Sequence, residues 1–211
     1  QELHRTRSFL VESRKRLSTL DMGDNFKSSV SLAAVRSRRS VLAELDTQIS
    51  RLDHEIESLI QTSSEFSRNY QLLTSIMGVG PVTGCELIIK TENFRKLDTA
   101  KKCAAYAGIA PYPKESGKMK CGHRISPMGD KQLKTLLFMC ARSAKDHNKE
   151  IRLYFLKKYE VEKKHFFVVM NNIANKLLRL IYSLIHKQQP YDRDYIQRDP
   201  RCVVISDVHR C

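Results

Sequence analysis

The stretch Leu72-Leu73-Thr74-Ser75-Ile76-Met77-Gly78-Val79-Gly80-Pro81-Val82-Thr83-Gly84-Cys85-Glu86-Leu87 decides how the chain folds. An apolar helical pattern stops at Gly78 and a Gly-Val-Gly turn follows. Pro81 then opens a second helix at its favoured first position, where a missing N–H costs nothing. This order predicts a helix-hairpin-helix. Gly78 and Gly80 permit positive φ and, with Val79 between them, leave the backbone bare enough to touch a phosphate. N–H groups at the start of the second helix can accept an anion. Such a motif grips DNA backbone without reading its sequence. The same glycines also serve a plain tight turn between packed helices, and that reading stays open.

Upstream of this turn the pattern is helical throughout. Leu3, Leu10 and Leu17 are spaced seven apart and predict a helix from Glu2 to Thr19, which Met22-Gly23-Asp24-Asn25 then breaks. Leu42, Leu45, Ile49, Leu52, Ile56 and Leu59 recur at alternating steps of three and four, an a/d heptad with charged residues between. Residues 1–68 therefore read as a helical hairpin or coiled coil. Packing within its own chain is one possibility. Association with a second copy is preferred, because no core-sized apolar cluster surrounds so long a helix. The chain opens on Gln1, inside a helical pattern, which reads as a fragment of a longer protein.

Downstream, a helix is expected from Thr99 to Ala107, with Asp98 as N-cap and Gly108 as its stop. Ile109-Ala-Pro-Tyr-Pro113 is extended. Lys131 to Asp146 is amphipathic through Leu133, Leu136, Leu137, Cys140 and Ala144, and helical signal continues from Ile151 to Lys158. A last long helix, Glu162 to Lys187, puts Phe166, Val169, Met170, Ile173, Leu177, Leu180, Ile181 and Leu184 on one face. The fold class is all-α, with a compact helical domain over 69–192. Residues 193–211 form a tail, which reads either as poorly ordered or as a short add-on containing a Cys202-Val-Val-Ile205 strand.

Between these helices lies the densest chemistry: Ser116-Gly-Lys-Met-Lys-Cys-Gly-His-Arg-Ile-Ser-Pro-Met-Gly-Asp130. Two serines share a polar loop with Lys118, Lys120, His123 and Arg124, and a helix starting near Asp130, with Lys131 in its first turn, follows directly. A glycine-bearing cationic loop feeding a helix N-terminus suits a phosphate. The whole chain carries a formal charge of +14. From Tyr112 to Lys164 there are 14 Lys/Arg against 6 Asp/Glu, so the surplus concentrates around the serines and favours nucleic acid over mere solubility. Apolar runs are too short to span a bilayer. The six scattered cysteines contain no C-x-x-C pair, which argues against a zinc site or disulfide framework and for a reducing cytoplasm. Cys121 and His123 alone make a weak metal pair.

The run Ile76-Met-Gly-Val-Gly-Pro-Val-Thr83, then Ala104-Ala-Tyr-Ala-Gly-Ile-Ala-Pro111, Ser116-Gly117, Arg124-Ile-Ser126, Gly129-Asp-x-x-Leu133, Asn175-Lys-Leu-Leu-Arg179 and Pro190-Tyr-Asp192 resembles the C-terminal domain of DEDD-type insertion-sequence transposases. These are the Piv-invertase-like recombinases, some of them bridge-RNA-guided. The resemblance covers Leu72 to Asp192. It implies a RuvC-like domain upstream whose carboxylates hold Mg2+, a coiled coil that joins copies, and work on DNA in the bacterial cytoplasm at the nucleoid. A guide RNA is a possible further partner. No cofactor is expected within this chain, and no carboxylate of it corresponds to that metal site.

The resemblance further implies that Ser116 attacks a DNA phosphodiester and forms a phosphoserine link. Ser126, before Pro127, reads first as a turn former or cap and is the runner-up nucleophile. Gly117, Lys118, Lys120, Arg124 and Lys131 would surround the phosphate, Gly117 by letting the backbone come close. Nothing near Ser116 is a convincing base, His123 being only a candidate, so activation is expected from the metal elsewhere. Without it this chain is expected to bind DNA but not cut it. Two alternatives remain on residues alone: a non-catalytic helix-hairpin-helix DNA-binding module, and a coiled-coil interaction protein whose basic surface contacts RNA.

Overall fold

A computed structural model of the protein describes residues 2–24, 31–116 and 119–192, and among these residues are eight α-helices and one small β-hairpin. Over 21–24, 113–116 and 119–124 only the backbone is described. The chain divides into two units, Gln1–Gln71 with Gly80–Asp98, and Leu72–Val79 with Thr99–Cys211. The all-α expectation holds, the hairpin being the sole sheet among the described residues.

The first unit is built on α1 (Glu2–Asp24) and α2 (Leu32–Thr62), which pack along each other. Arg7 meets Asp53 and Arg14 meets Asp46, so one helix ascends as the other descends. The heptad stripe of α2 thus finds its first partner in its own chain: Leu42, Leu45, Ile49 and Leu52 are half-buried, as are Leu3, Leu10 and Leu17 opposite. Ile56 and Ile60 are buried, but Leu59 stays 60% exposed. Helix α1 runs through Gly23 to Asp24, past the break expected at Met22. A helical glycine costs only about 1 kcal/mol and does not by itself end a helix.

Helix α3 (Ser64–Ser75) ends three residues before the predicted Gly78, and α4 (Pro81–Thr91) begins at Pro81 as expected, with Gly80 as N-cap. One of the three points at which the chain passes between the units falls between Val79 and Gly80. Inside the first unit, α1 and α4 share a buried pair in which His4 Nε2 meets the fully buried carboxylate of Glu86. Lys90 Nζ lies 3.8 Å from the other oxygen of Glu86. Burying a carboxylate is tolerable only with such partners. The chain leaves α4 through three successive left-handed residues, Glu92, Asn93 and Phe94. Asn93 holds this turn by accepting from Asn69 (2.9 Å) and donating to Glu65 (2.9 Å).

The second unit buries its core between α6 (Lys131–His147) and α8 (Phe166–Lys187), with α5 (Ala100–Tyr106) and α7 (Lys149–Leu156) packed on α8. Leu133, Leu137, Ala141 and Ala144 from α6 meet Ile173, Ala174, Leu177, Leu178 and Ile181 from α8, all fully buried. Each large side chain there contributes about 1.5–3 kcal/mol. Side-chain caps set the helix starts: Thr99 accepts from Lys102 N, Asp130 from Leu133 N (2.8 Å) and Asn148 from Ile151 N (3.1 Å). Thr99, not Asp98, is therefore the cap of α5. After α7 the backbone widens into a π-turn over Lys157–Val161, and left-handed Lys163 (φ 51°) ends it. That break delays α8 to Phe166, four residues later than expected, and leaves Phe166 exposed rather than in the core.

The greatest departure from the sequence reading lies at 111–125. Strands β1 (Pro111–Ser116) and β2 (Met119–Ile125) pair antiparallel, with a register shift between Pro113 and Glu115. The serine-bearing stretch is thus a hairpin for most of its length, not an open loop. Tyr191 closes the unit: its N–H donates to Ser75 Oγ (3.1 Å) and its hydroxyl accepts from Asn148 Nδ2 (2.7 Å). The expected Cys202–Ile205 strand lies outside the described residues.

Candidate nucleic-acid interface and serine hairpin

The hairpin's foot is fixed from three sides. The first is an approach of bare backbones. A Cβ on Gly129 would sit 2.4 Å from Gly108 Cα and 2.7 Å from the Ala107 carbonyl carbon, so only glycine fits. Gly108 itself is left-handed (φ 67°), which glycine adopts without strain. The second is a strap between α5 and the start of α6: Asp130 N–H donates to Tyr106 O (2.8 Å), and Tyr106 OH lies 3.2 Å from Asp130 Oδ2. The third comes from α8, where the amides of Asn171 and Asn175 both donate to the Ile109 carbonyl, at 2.9 and 3.0 Å. Asn175 donates to Asn171 O as well (3.0 Å).

From this foot the strands project. Pro111 pairs with Ile125 at the base, Tyr112 with Arg124, Glu115 with Lys120, and Ser116 with Met119 at the far end. Five residues at about 3.3 Å each put Ser116 roughly 17 Å of strand beyond Pro111. Ser116 is the last residue of β1, two residues before β2 resumes. Gly117 and Lys118 lie outside the described residues. Lys120 and Arg124 are on β2, the first near the tip and the second near the foot. Ser126 follows β2, and its Oγ accepts from Met128 N–H (3.2 Å), a local turn that leads into the Asp130 cap. Lys131 is exposed on the first residue of α6.

The glycine turn has a different character in each unit. In the second unit, Gly78 is left-handed (φ 101°) and packs against α6 so tightly that a Cβ would lie 2.8 Å from both Cβ and N of Ala144. Val79 beside it is only 5% exposed. Packing therefore accounts for Gly78 and Val79 without a ligand. In the first unit, Gly80 faces open space, with nothing within 4 Å of a Cβ placed on it.

Among the described residues no three His, Cys, Asp or Glu side chains come together as a metal would require, and no helix is long and apolar enough to cross a membrane. The sequence reading missed Asn171, Asn175 and the Gly108–Gly129 crossing as supports of the site. Their signal was present, because Asn175, Gly108 and Gly129 all lie in the quoted runs, but only the fold brings them to one place.

These features define a helical domain that presents a braced β-hairpin, with Ser116 as the last residue of its first strand. Residues 70–156 match the model of the transposase IS116/IS110/IS902 family. The chain is 31% identical over 146 residues to the pilin gene-inverting protein of Moraxella bovis, covering 69% of this chain and 45% of that protein. It is 25% identical over 158 residues to the transposase for insertion sequence element IS1111A of Coxiella burnetii, covering 72% and 43%. A protein of insertion element IS110 from Streptomyces coelicolor matches at 25% over 158 residues, covering 75% and 38%. The chain thus spans less than half the length of these relatives. It belongs to the IS116/IS110/IS902 family of insertion-sequence transposases.

Proposed function

We propose that the chain works as part of a DNA transposase or site-specific recombinase, binding DNA and contributing Ser116 as the nucleophile of strand cleavage and transfer. In this reading Ser116 Oγ attacks a backbone phosphorus, a phosphoserine ester forms, and one DNA oxygen leaves with the proton. One phosphoester replaces another, so the bond is kept for resealing to a new strand. Lys118 and Lys120, which follow Ser116 closely in sequence, would balance the charge that grows on the phosphoryl oxygens. Magnesium on the carboxylates of a RuvC-like domain would activate the hydroxyl, and no residue of this chain is assigned to it. Association of copies through the α1–α2 hairpin belongs to the same proposal, supported by the exposure of Phe9 (71%) and Leu59. A guide RNA as an additional partner rests on the family resemblance alone.

The observation that carries this reading is the position of Ser116 at the end of a strand whose foot is held by Gly108, Gly129, Asn171 and Asn175. A long lever with a fixed base can enter a DNA groove or an opposing catalytic domain without disturbing its own core. Ser126, by contrast, is already engaged in the turn before α6. The test uses the full-length protein and labelled DNA carrying an end of the mobile element. Wild type should give a covalent protein–DNA adduct that resists detergent, and Ser116→Ala should lose the adduct while keeping DNA binding. An adduct that survives Ser116→Ala and vanishes with Ser126→Ala would overturn the assignment.

A further inference from the structure

Away from the serine hairpin, the second unit carries a surface that neither the catalytic reading nor the core explains. The π-turn at Lys157–Val161 and left-handed Lys163 bring the end of α7 against the start of α8. Both features are costly backbone choices of the kind that cluster at functional sites. They gather a continuous set of rings. Phe155 stacks on Tyr159 (5.2 Å between centroids), and Phe166 sits edge-on to both. Phe167 is edge-on to Phe166 at 5.5 Å, and His165 stacks on Phe167 at 5.7 Å. A core would hide such a cluster, yet Phe167 is 64% exposed and Tyr159 43%.

Cations frame the rings. Lys145 Nζ lies 5.3 Å from the centre of Phe155, and Lys158 and Lys164 both bind Glu162 beside the turn. From Lys145 to Phe167 there are 7 Lys/Arg against 4 Asp/Glu. Exposed aromatic rings set among lysines match a polyanion whose own flat groups are free to stack. A duplex keeps its bases inside, so it offers these rings nothing. A second copy of the chain would bring lysines against lysines.

We infer that the Tyr159–Phe166–Phe167 surface is a stacking platform for unpaired bases of single-stranded DNA. The choice of DNA rests on the recombination reading, since strand transfer must expose unpaired bases. The ring geometry and the charge do not depend on that reading.

The test measures anisotropy of three labelled probes with the full chain: a short thymidine homopolymer, a duplex of equal length, and a uridine homopolymer. Phe167→Ala and Tyr159→Ala should each weaken thymidine-strand binding about 5- to 100-fold. Duplex binding should stay within about twofold, because the charges that grip backbone phosphates are untouched. Phe167→Tyr, which keeps the ring, should retain single-strand affinity. In the unsubstituted chain, a strand carrying iodouracil should photo-crosslink to peptides containing Tyr159 or Phe167, a readout independent of how any variant folds.

Unchanged single-strand affinity in both alanine variants would overturn the inference, as would equal losses for strand and duplex. Tighter binding of the uridine polymer would make RNA the occupant instead. A wild-type dimer that dissociates on Phe167→Ala, with no change in DNA affinity, would make it a second copy. None of these readouts uses Ser116. A failed adduct experiment and a failed stacking experiment are therefore told apart.

Discussion

Gly129→Ala is the sharpest test of how the serine hairpin is held. The new Cβ would start 2.4 Å from Gly108 Cα and N and 2.7 Å from the carbonyl carbon of Ala107. All three are backbone atoms, so no side chain can rotate away. Ordinary contact lies at 3.4 Å or more, so the start of α6 must move from α5 by roughly 1 Å. That movement stretches the bond from Asp130 N–H to Tyr106 O beyond hydrogen-bond range, from its present 2.8 Å. The lost bond costs about 1 kcal/mol and overpacking about 1–3 more, or roughly 2–4 kcal/mol in total. For a chain of this size that corresponds to a fall in melting temperature of roughly 5–15 °C. Urea unfolding followed by circular dichroism would measure it, and the adduct assay on the same variant should show reduced yield. A loss under about 0.5 kcal/mol would refute the reasoning, since it would mean the two backbones do not meet at this distance.

Further outcomes follow from the same contacts. His4→Ala removes the imidazole from the fully buried Glu86 and should cost about 3–5 kcal/mol, whereas His4→Leu with Glu86→Leu should recover much of it; equal urea midpoints for single and double variants would contradict this. Asn171→Ala and Asn175→Ala should each cost about 1 kcal/mol, with a double variant more than additive because either amide alone still satisfies the one Ile109 carbonyl; strict additivity in the double-mutant cycle would dissolve that coupling. Lys158 and then Lys164 hold the Glu162 carboxyl down to about 2 from an ordinary value of 4.5. A depressed folded value means that this stabilisation is present above pH 4.5 and is lost as pH falls through about 2. Side-chain NMR should therefore show Glu162 still ionised near pH 3, and titration at the ordinary value would refute the clamp.

Much of the helical frame was legible because its signals are local. Pro81, Asp130 and the apolar spacing of α6 act through their nearest turns, and these helix starts fall where the residues predict. The misplaced boundaries have non-local or competing causes. Glu162 continues the charge pattern of a helix, but it is taken up by Lys158 and Lys164 while left-handed Lys163 breaks the backbone. Met22-Gly23 looked like a stop, yet α1 runs through it to Asp24, since one helical glycine costs only about 1 kcal/mol. The heptad of α2 specified a partner helix without specifying whose, and residues alone could not distinguish α1 of the same chain from a second copy.

The hairpin was hidden for a related reason. Its stretch combines glycines, lysines and a Ser-Pro, all of which favour loops locally, so its strands are held by their anchorage rather than by propensity. That anchorage comes from residues far apart in sequence: Ile109 is 62 and 66 positions from the two asparagines that hold it. The runs Ala104–Pro111, Gly129–Leu133 and Asn175–Arg179 looked separate along the chain but meet at one foot. Several small or amide residues in them therefore position the strand that carries Ser116. Gly78 shows the converse. Its bare backbone looked made for a phosphate, and the fold spends it on Ala144 of α6. A glycine in a turn reports that something comes close, and only the packed structure says whether that is a ligand or another helix.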